Sequence, residues 1–206
     1  ETSSRIMEIL KNISPDIEIF SVDEAFVDLT NCKKIYSSPL DVACLIKDRI
    51  YSDVYLPCSI GISENKSMAK FAAKLRKPDG ITILNIKQAK KVLERYLVTE
   101  LCGVSKGIQR FLNIHNVYKC GDMKKIPISI LGNKYGNVGR KIWLMAQGLD
   151  YDSLKKENNA PKSFGHGKVT MPGLKDIHLI KKIFRHMCEK VAKRMRINNF
   201  ESNKYL

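Results

Sequence analysis

The 206 residues include 36 Lys and Arg against 21 Asp and Glu, a formal charge of +15, and 44% of them are hydrophobic. That apolar share excludes a disordered chain and suffices for a core in one domain or two small ones, while the basic excess points to a polyanion, with nucleic acid ahead of a membrane surface. No run of about 18 apolar residues and no basic, apolar leader is present, so no membrane partner is expected and the chain reads as cytoplasmic. Cys32, Cys44, Cys58, Cys102, Cys120 and Cys188 are scattered without a CxxC pair or a histidine at metal spacing, which favours reduced thiols over disulfides or zinc. The chain opens at Glu1 rather than Met and stops soon after a helix-like run, so it reads as a piece of a longer polypeptide.

Ser3-Ser4 ahead of Arg5-Ile6-Met7-Glu8-Ile9-Leu10 predicts a capped helix with Ile6, Ile9, Leu10 and Ile13 on one face, closing at Ser14-Pro15. Ile17 to Leu29 then reads as a hairpin that turns near Asp23-Glu24. Two acids there have two readings. One is a polar β-turn, since Asp is a common turn residue. The other is a pair of rigidly held oxygens for Mg²⁺, which takes one or two carboxylates and completes its shell with water and phosphate.

Pro39-Leu40-Asp41 opens a second helix, with Leu40, Ala43, Ile46 and Ile50 at core spacing. Leu56 to Ile62 reads as a strand, and Asn65 caps a helix from Lys66 to Arg76. Met68, Phe71, Ala72 and Leu75 give that helix a core stripe, while Lys66, Lys70 and Lys74 lie four apart on what reads as a solvated face. Lys77-Pro78-Asp79-Gly80 stops it and turns the chain into a strand, Ile81 to Leu84. A lysine fixed at such a turn can serve as a point charge for a triphosphate. The alternation predicts an α+β fold, a sheet carrying helices on one face.

Ser21-Val22-Asp23-Glu24-Ala25-Phe26-Val27-Asp28, then Ser59-Ile60-Gly61-Ile62-Ser63-Glu64-Asn65-Lys66, Ala69-Lys70 and Lys77-Pro78-Asp79-Gly80 resemble, in order and spacing, the palm of translesion (Y-family) DNA polymerases, the UmuC/DinB-like or ImpB/MucB/SamB family. The resemblance implies that Asp23 and Glu24 are catalytic and bind Mg²⁺ in a two-metal site, that Lys77 reaches the phosphates of an incoming deoxynucleoside triphosphate, and that Lys70 lies near the primer end. Adjacent acids suit this chemistry, because phosphoryl transfer asks a protein mainly to position groups and neutralise charge. The third carboxylate is expected from the family's N-terminal strand. No stretch here resembles that strand, the steric gate or the fingers.

Lys87 to Tyr96 is a predicted helix with Ala89, Val92, Leu93 and Tyr96 inward. Leu101-Cys102-Gly103-Val104-Ser105-Lys106-Gly107-Ile108, leading into Phe111 to Val117, resembles the family's helix-hairpin-helix thumb, whose glycine turn brings backbone N–H groups to a DNA phosphate. Gly103, Ser105 and Lys106 are the implied contacts, Ser105 standing where the family has a second glycine. A helix with Ile142, Trp143, Met145 and Ala146, punctuated by Gly132, Gly136, Gly139 and Gly148, resembles the last thumb helix.

Tyr151 to Lys162 reads as a polar linker. Ser163 to Met171 predicts a strand, and Ile177 to Arg196 a long helix that buries Ile180, Ile183, Phe184, Met187, Val191 and Met195 and is basic on its other side. This part resembles the opening of the family's α/β little-finger domain, and the resemblance implies Lys168 as a DNA contact. The expected division is a partial palm over 1–85, a thumb over 86–150, a linker over 151–162 and the start of a little finger over 163–206.

Two functional classes follow. In the first, the chain is part of a Mg²⁺-dependent translesion polymerase acting on primer–template DNA and deoxynucleoside triphosphates, inactive alone, with a sliding clamp as a partner through regions outside it. In the second, it is a DNA-binding module without turnover. A cyclase on a palm-like fold would need a Gly-Gly-acid turn, which is not found.

Overall fold

The computed structural model describes residues 2–155 and 161–202 and divides into two compact units, Glu1–Glu157 and Asn158–Leu206. In the first unit, helix α1 (Thr2–Lys11) packs Met7 and Leu10 against α2 (Pro39–Val54), which buries Val42, Ile46 and Ile50. Ser38 starts α2 by accepting the Asp41 N–H at 3.2 Å, while Pro39 has no N–H to satisfy. Leu40, expected inward, is exposed, because the buried stripe runs at four-residue spacing from Val42 instead.

Between these helices β1 (Ile17–Ile19) runs antiparallel to β2 (Ala25–Val27), pairing Ile17 with Val27, Glu18 with Phe26 and Ile19 with Ala25. Ala25 and Val27 join the α1–α2 core. The opposite face of the hairpin therefore carries Glu18 and Phe26. Strand β3 (Ile60–Ile62) pairs in parallel with β4 (Ile81–Ile83), and α3 (Lys66–Leu75) makes the crossover. One sheet was expected; among the described residues there are two, each of two strands. Periodicity identifies a strand and its faces, but not which edge it pairs along. The strand predicted from Leu56 also shortens, since Pro57 has no N–H for a ladder. Gly61 allows β3 to lie directly on α3, for a Cβ there would fall 1.9 Å from the Ala69 carbonyl oxygen.

Asn65 caps α3 by accepting the Met68 N–H at 2.9 Å. Met68, Phe71 and Ala72 then enter a second, larger core built with α4 (Ile86–Leu93), α5 (Lys106–Ile114) and α6 (Ile128–Met145). Leu93, Leu112 and Leu131 are 0% exposed there, and each such side chain contributes about 1.5–3 kcal/mol by leaving water. Helix α6 is interrupted at Gly136, whose φ of 60° and ψ of −140° suit glycine and join two helical pieces.

In the second unit, residues 163–171 form no strand among the described residues, because an extended segment without a partner has no ladder to join. Helix α7 (Ile177–Ile197) begins on Asp176, which accepts the His178 and Leu179 N–H groups at 2.9 and 3.2 Å. None of its residues is buried, contrary to the six expected inward; Ile183, Met187, Val191 and Met195 are half-buried, and Phe184 is 64% exposed. One helix has too few neighbours in this unit to cover its apolar stripe. Among the described residues no helix is long and apolar enough to cross a membrane, and all six cysteines are free.

Candidate active site

The acid turn is closed by two backbone bonds, the Phe20 and Ser21 N–H groups donating to the Glu24 carbonyl at 2.9 and 3.0 Å. Val22 and Asp23 are thereby carried outward into solvent, while Glu24 stays half-buried. Ser21 donates its hydroxyl to Asp23 Oδ1 at 2.6 Å. That bond, aided by the charges of Lys70 and Lys77, holds the Asp23 carboxyl below its usual range.

Facing the hairpin, Lys70 Nζ lies 2.5 Å from Glu24 Oε2 and 4.4 Å from the centre of the Phe20 ring. One turn earlier, Lys66 Nζ lies 2.8 Å from Glu18 Oε2 and 5.7 Å from the Phe26 ring centre. The two rings meet edge to face with centroids 5.6 Å apart. The site therefore has two rungs, each a lysine, a carboxylate and a ring. This corrects the expected solvated lysine face: the Lys66 and Lys70 side chains are only 13% and 16% exposed. Helical spacing set them on one face, and the acids and rings of the hairpin supply that face with partners.

Burial pushes the Glu18 carboxyl up, but the Lys155 N–H at 2.7 Å and the Lys66 ammonium outweigh it, so its pKa ends below the ordinary 4.5. A depressed carboxylate stabilises the fold above its unfolded pKa and loses that contribution as pH falls through the folded one. Urea unfolding should therefore show stability falling below about pH 4.5, and falling less steeply in Lys66→Met. An equally steep loss in both proteins would rule Glu18 out as the source.

Lys77 is exposed in the turn that ends α3. The turn is firmly held: Lys47 of α2 donates to the carbonyls of Cys58 and Asp79 at 2.9 and 2.6 Å and pairs with the Asp79 carboxylate. Gly80 packs so closely that a Cβ would fall 2.1 Å from the Arg76 carbonyl oxygen. A second cluster, Gly103, Ser105 and Lys106, lies exposed where the preceding turn enters α5, with Gly103 at φ 87°. Ser105 is the cap of α5, accepting the Ile108 N–H at 3.4 Å. The Lys106 and Gly107 N–H groups, in the first helical turn, then have no acceptor within the helix. Lys168 is exposed in the second unit.

The structure thus brings Asp23, Glu24 and Lys70 together, with Lys77 near enough for its charge to act on Asp23. Sequence reasoning missed Ser21, Glu18 and Lys47. Glu18 left one signal, an acid inside an apolar strand; nothing local marks Lys47. Among the described residues no three His, Cys, Asp or Glu side chains gather as a metal cage. The carboxylates of Asp23 and Glu24 are hard oxygen donors, which suits Mg²⁺ held by one or two carboxylates, water and a substrate phosphate.

Residues 1–74 match the family model described as impB/mucB/samB family. The DNA polymerase IV of Pelotomaculum thermopropionicum is 35% identical over 200 residues, covering 96% of this chain and 50% of that protein. A Y-family DNA polymerase chimera built on Dbh superposes with a TM-score of 0.78 at 25% identity, over 93% of this chain and 56% of that one. An insertion ternary complex of Dbh DNA polymerase gives a TM-score of 0.67 at 25% identity, over 75% of this chain and 45% of that one. The chain spans about half the length of the curated relatives it matches. With the acid turn, the α3 lysines and the fold all in accord, residues 1–74 belong to the impB/mucB/samB family, and the chain as a whole is similar to Y-family DNA polymerases.

Proposed function

We propose that this chain is the part of a translesion DNA polymerase that carries two carboxylates of the metal site and grips primer–template DNA. The observation that carries this reading is the turn holding Asp23 beside Glu24, with Lys70 against it and Lys77 within electrostatic reach. In this reading residues 1–85 are a partial palm, 86–150 a helix-hairpin-helix thumb, 151–162 a linker, partly outside the described residues, and 163–206 the start of a little finger.

Asp23 and Glu24 would hold Mg²⁺, which when bound supplies charge neutralisation for phosphoryl transfer. Lys77, exposed on a pinned turn, is placed to meet the phosphates of a deoxynucleoside triphosphate. Lys70, released from Glu24, is placed to meet the primer strand. Gly103, Ser105 and Lys106 offer backbone N–H groups and one positive charge to a DNA phosphate, and Lys168 adds a further contact. Two carboxylates are a partial ligand set, so the chain alone binds DNA and copies it feebly or not at all.

The experiment is primer extension with Mg²⁺ and four deoxynucleotides on intact and abasic templates, beside an Asp23→Ala, Glu24→Ala variant. DNA binding without extension is the expected result. Extension that the variant abolishes would show a complete working site and overturn the claim of inactivity. Failure to bind DNA would overturn the assignment itself.

A further inference from the structure

Segment 148–155, which leaves α6, is tied back to α6 by Lys141, which pairs with Asp152 at 2.5 Å and lies 3.8 Å from Asp150, and is fastened to α3 and β1 at four further places. Asn65 donates its side-chain amide to the Gly148 carbonyl at 3.0 Å. Asp150, with a side chain 1% exposed, accepts the Ser67 N–H at 3.2 Å and the Ser67 hydroxyl. Lys66 donates to the Ser153 carbonyl at 2.9 Å, and the Lys155 N–H donates to Glu18 Oε2 at 2.7 Å. Lys66 reaches that same Glu18 oxygen at 2.8 Å. A continuous line of polar contacts therefore runs from the end of α6, across the first turn of α3, to β1.

Glu18 is the terminus of this line and has no part in the chemistry proposed above. A nearly buried ion pair contributes little net stability, because desolvation offsets its attraction, and a well-packed apolar pair would serve as well. What an ion pair with a second donor supplies is fixed geometry. Glu18 also sits opposite Phe26 in the short ladder whose turn carries Asp23 and Glu24.

We propose that Glu18 is a positioning residue that couples the segment leaving α6 to the acid turn. A shift of the α4–α6 core is then felt at Asp23 and Glu24. The coupling itself is a property of the fold; its use, setting the acids when the thumb grips DNA, rests on the polymerase reading.

The test reads amide hydrogen exchange by NMR in this chain. The Phe20 and Ser21 amides, both bonded to the Glu24 carbonyl, report the acid turn, and Lys155 reports the fastened segment. Asp150→Asn, made at the far end of the line, should speed exchange about fivefold at Lys155, Phe20 and Ser21 while Leu112 in α5 keeps its rate. In a Glu18→Gln background the same substitution should add nothing at Phe20 and Ser21, the mark of two residues acting through one path. The proposal is overturned if Asp150→Asn loosens Lys155 but leaves the turn amides unchanged, or if the two substitutions add. Ser67→Ala replaces Asp150→Asn should that variant not fold. No DNA or nucleotide enters the readout, so failure of the polymerase reading would appear in the extension assay and not here.

Discussion

Raising the salt from about 50 to about 200 mM should weaken duplex DNA binding roughly a thousandfold, the loss expected when about six phosphates displace counterions. The net charge of +15 makes the sign certain, but the structure decides which lysines contribute. Lys66 is engaged by Glu18 and Lys47 by Asp79, so their charges are already compensated within the fold, whereas Lys70 contributes only when it is released from Glu24. Lys77, Lys106 and Lys168 are exposed. On α7, Arg185 pairs with Glu189 and Arg194 is tied to the Gly165 carbonyl, which leaves its other exposed cations freer.

Fluorescence anisotropy across a salt series would therefore separate two kinds of lysine. Lys106→Met should reduce the slope of log affinity against log salt by about one phosphate's worth. Lys66→Met should leave the slope alone while destabilising the fold. Binding indifferent to salt would remove nucleic acid as the partner.

Gly61→Ala should cost about 3 kcal/mol, near the top of the usual range for overpacking. In a chain of this size that is a fall in Tm of about 6–12 °C, measurable by circular dichroism. The cause is backbone meeting backbone: the added methyl would lie 1.9 Å from the Ala69 carbonyl oxygen and 2.4 Å from the Ala73 nitrogen. A flexible side chain could turn aside, whereas a helix backbone has to move as a body. Such a move shifts α3, and with it the lysines that face the hairpin. Gly103→Ala is the control, since its Cβ would meet nothing within 4 Å and only the φ of 87° opposes it. About 1–2 kcal/mol is expected there, from left-handed backbone strain alone. If the two variants melted together, close approach of β3 to α3 would not be what Gly61 provides.

The sequence by itself determined the local chemistry and its order along the chain. Asp23-Glu24 between apolar runs, the Asn65 cap, the Met68-Phe71-Ala72 stripe and the stop at Lys77-Pro78 are all written in short-range pattern, because caps, turns and helical faces depend on neighbours a few residues away. The tertiary structure decided the partners. Lys66 meets Glu18 across 48 positions and Lys70 meets Glu24 across 46, and no periodicity within either segment reveals that these two faces meet. For the same reason the four strands were legible while their division into two sheets was not, since a strand's edges look alike in sequence. The apolar stripe of α7 was equally visible, yet burial is a property of what packs against a helix rather than of the helix. Spacing along one segment sets which side chains share a face; only the fold sets what that face touches.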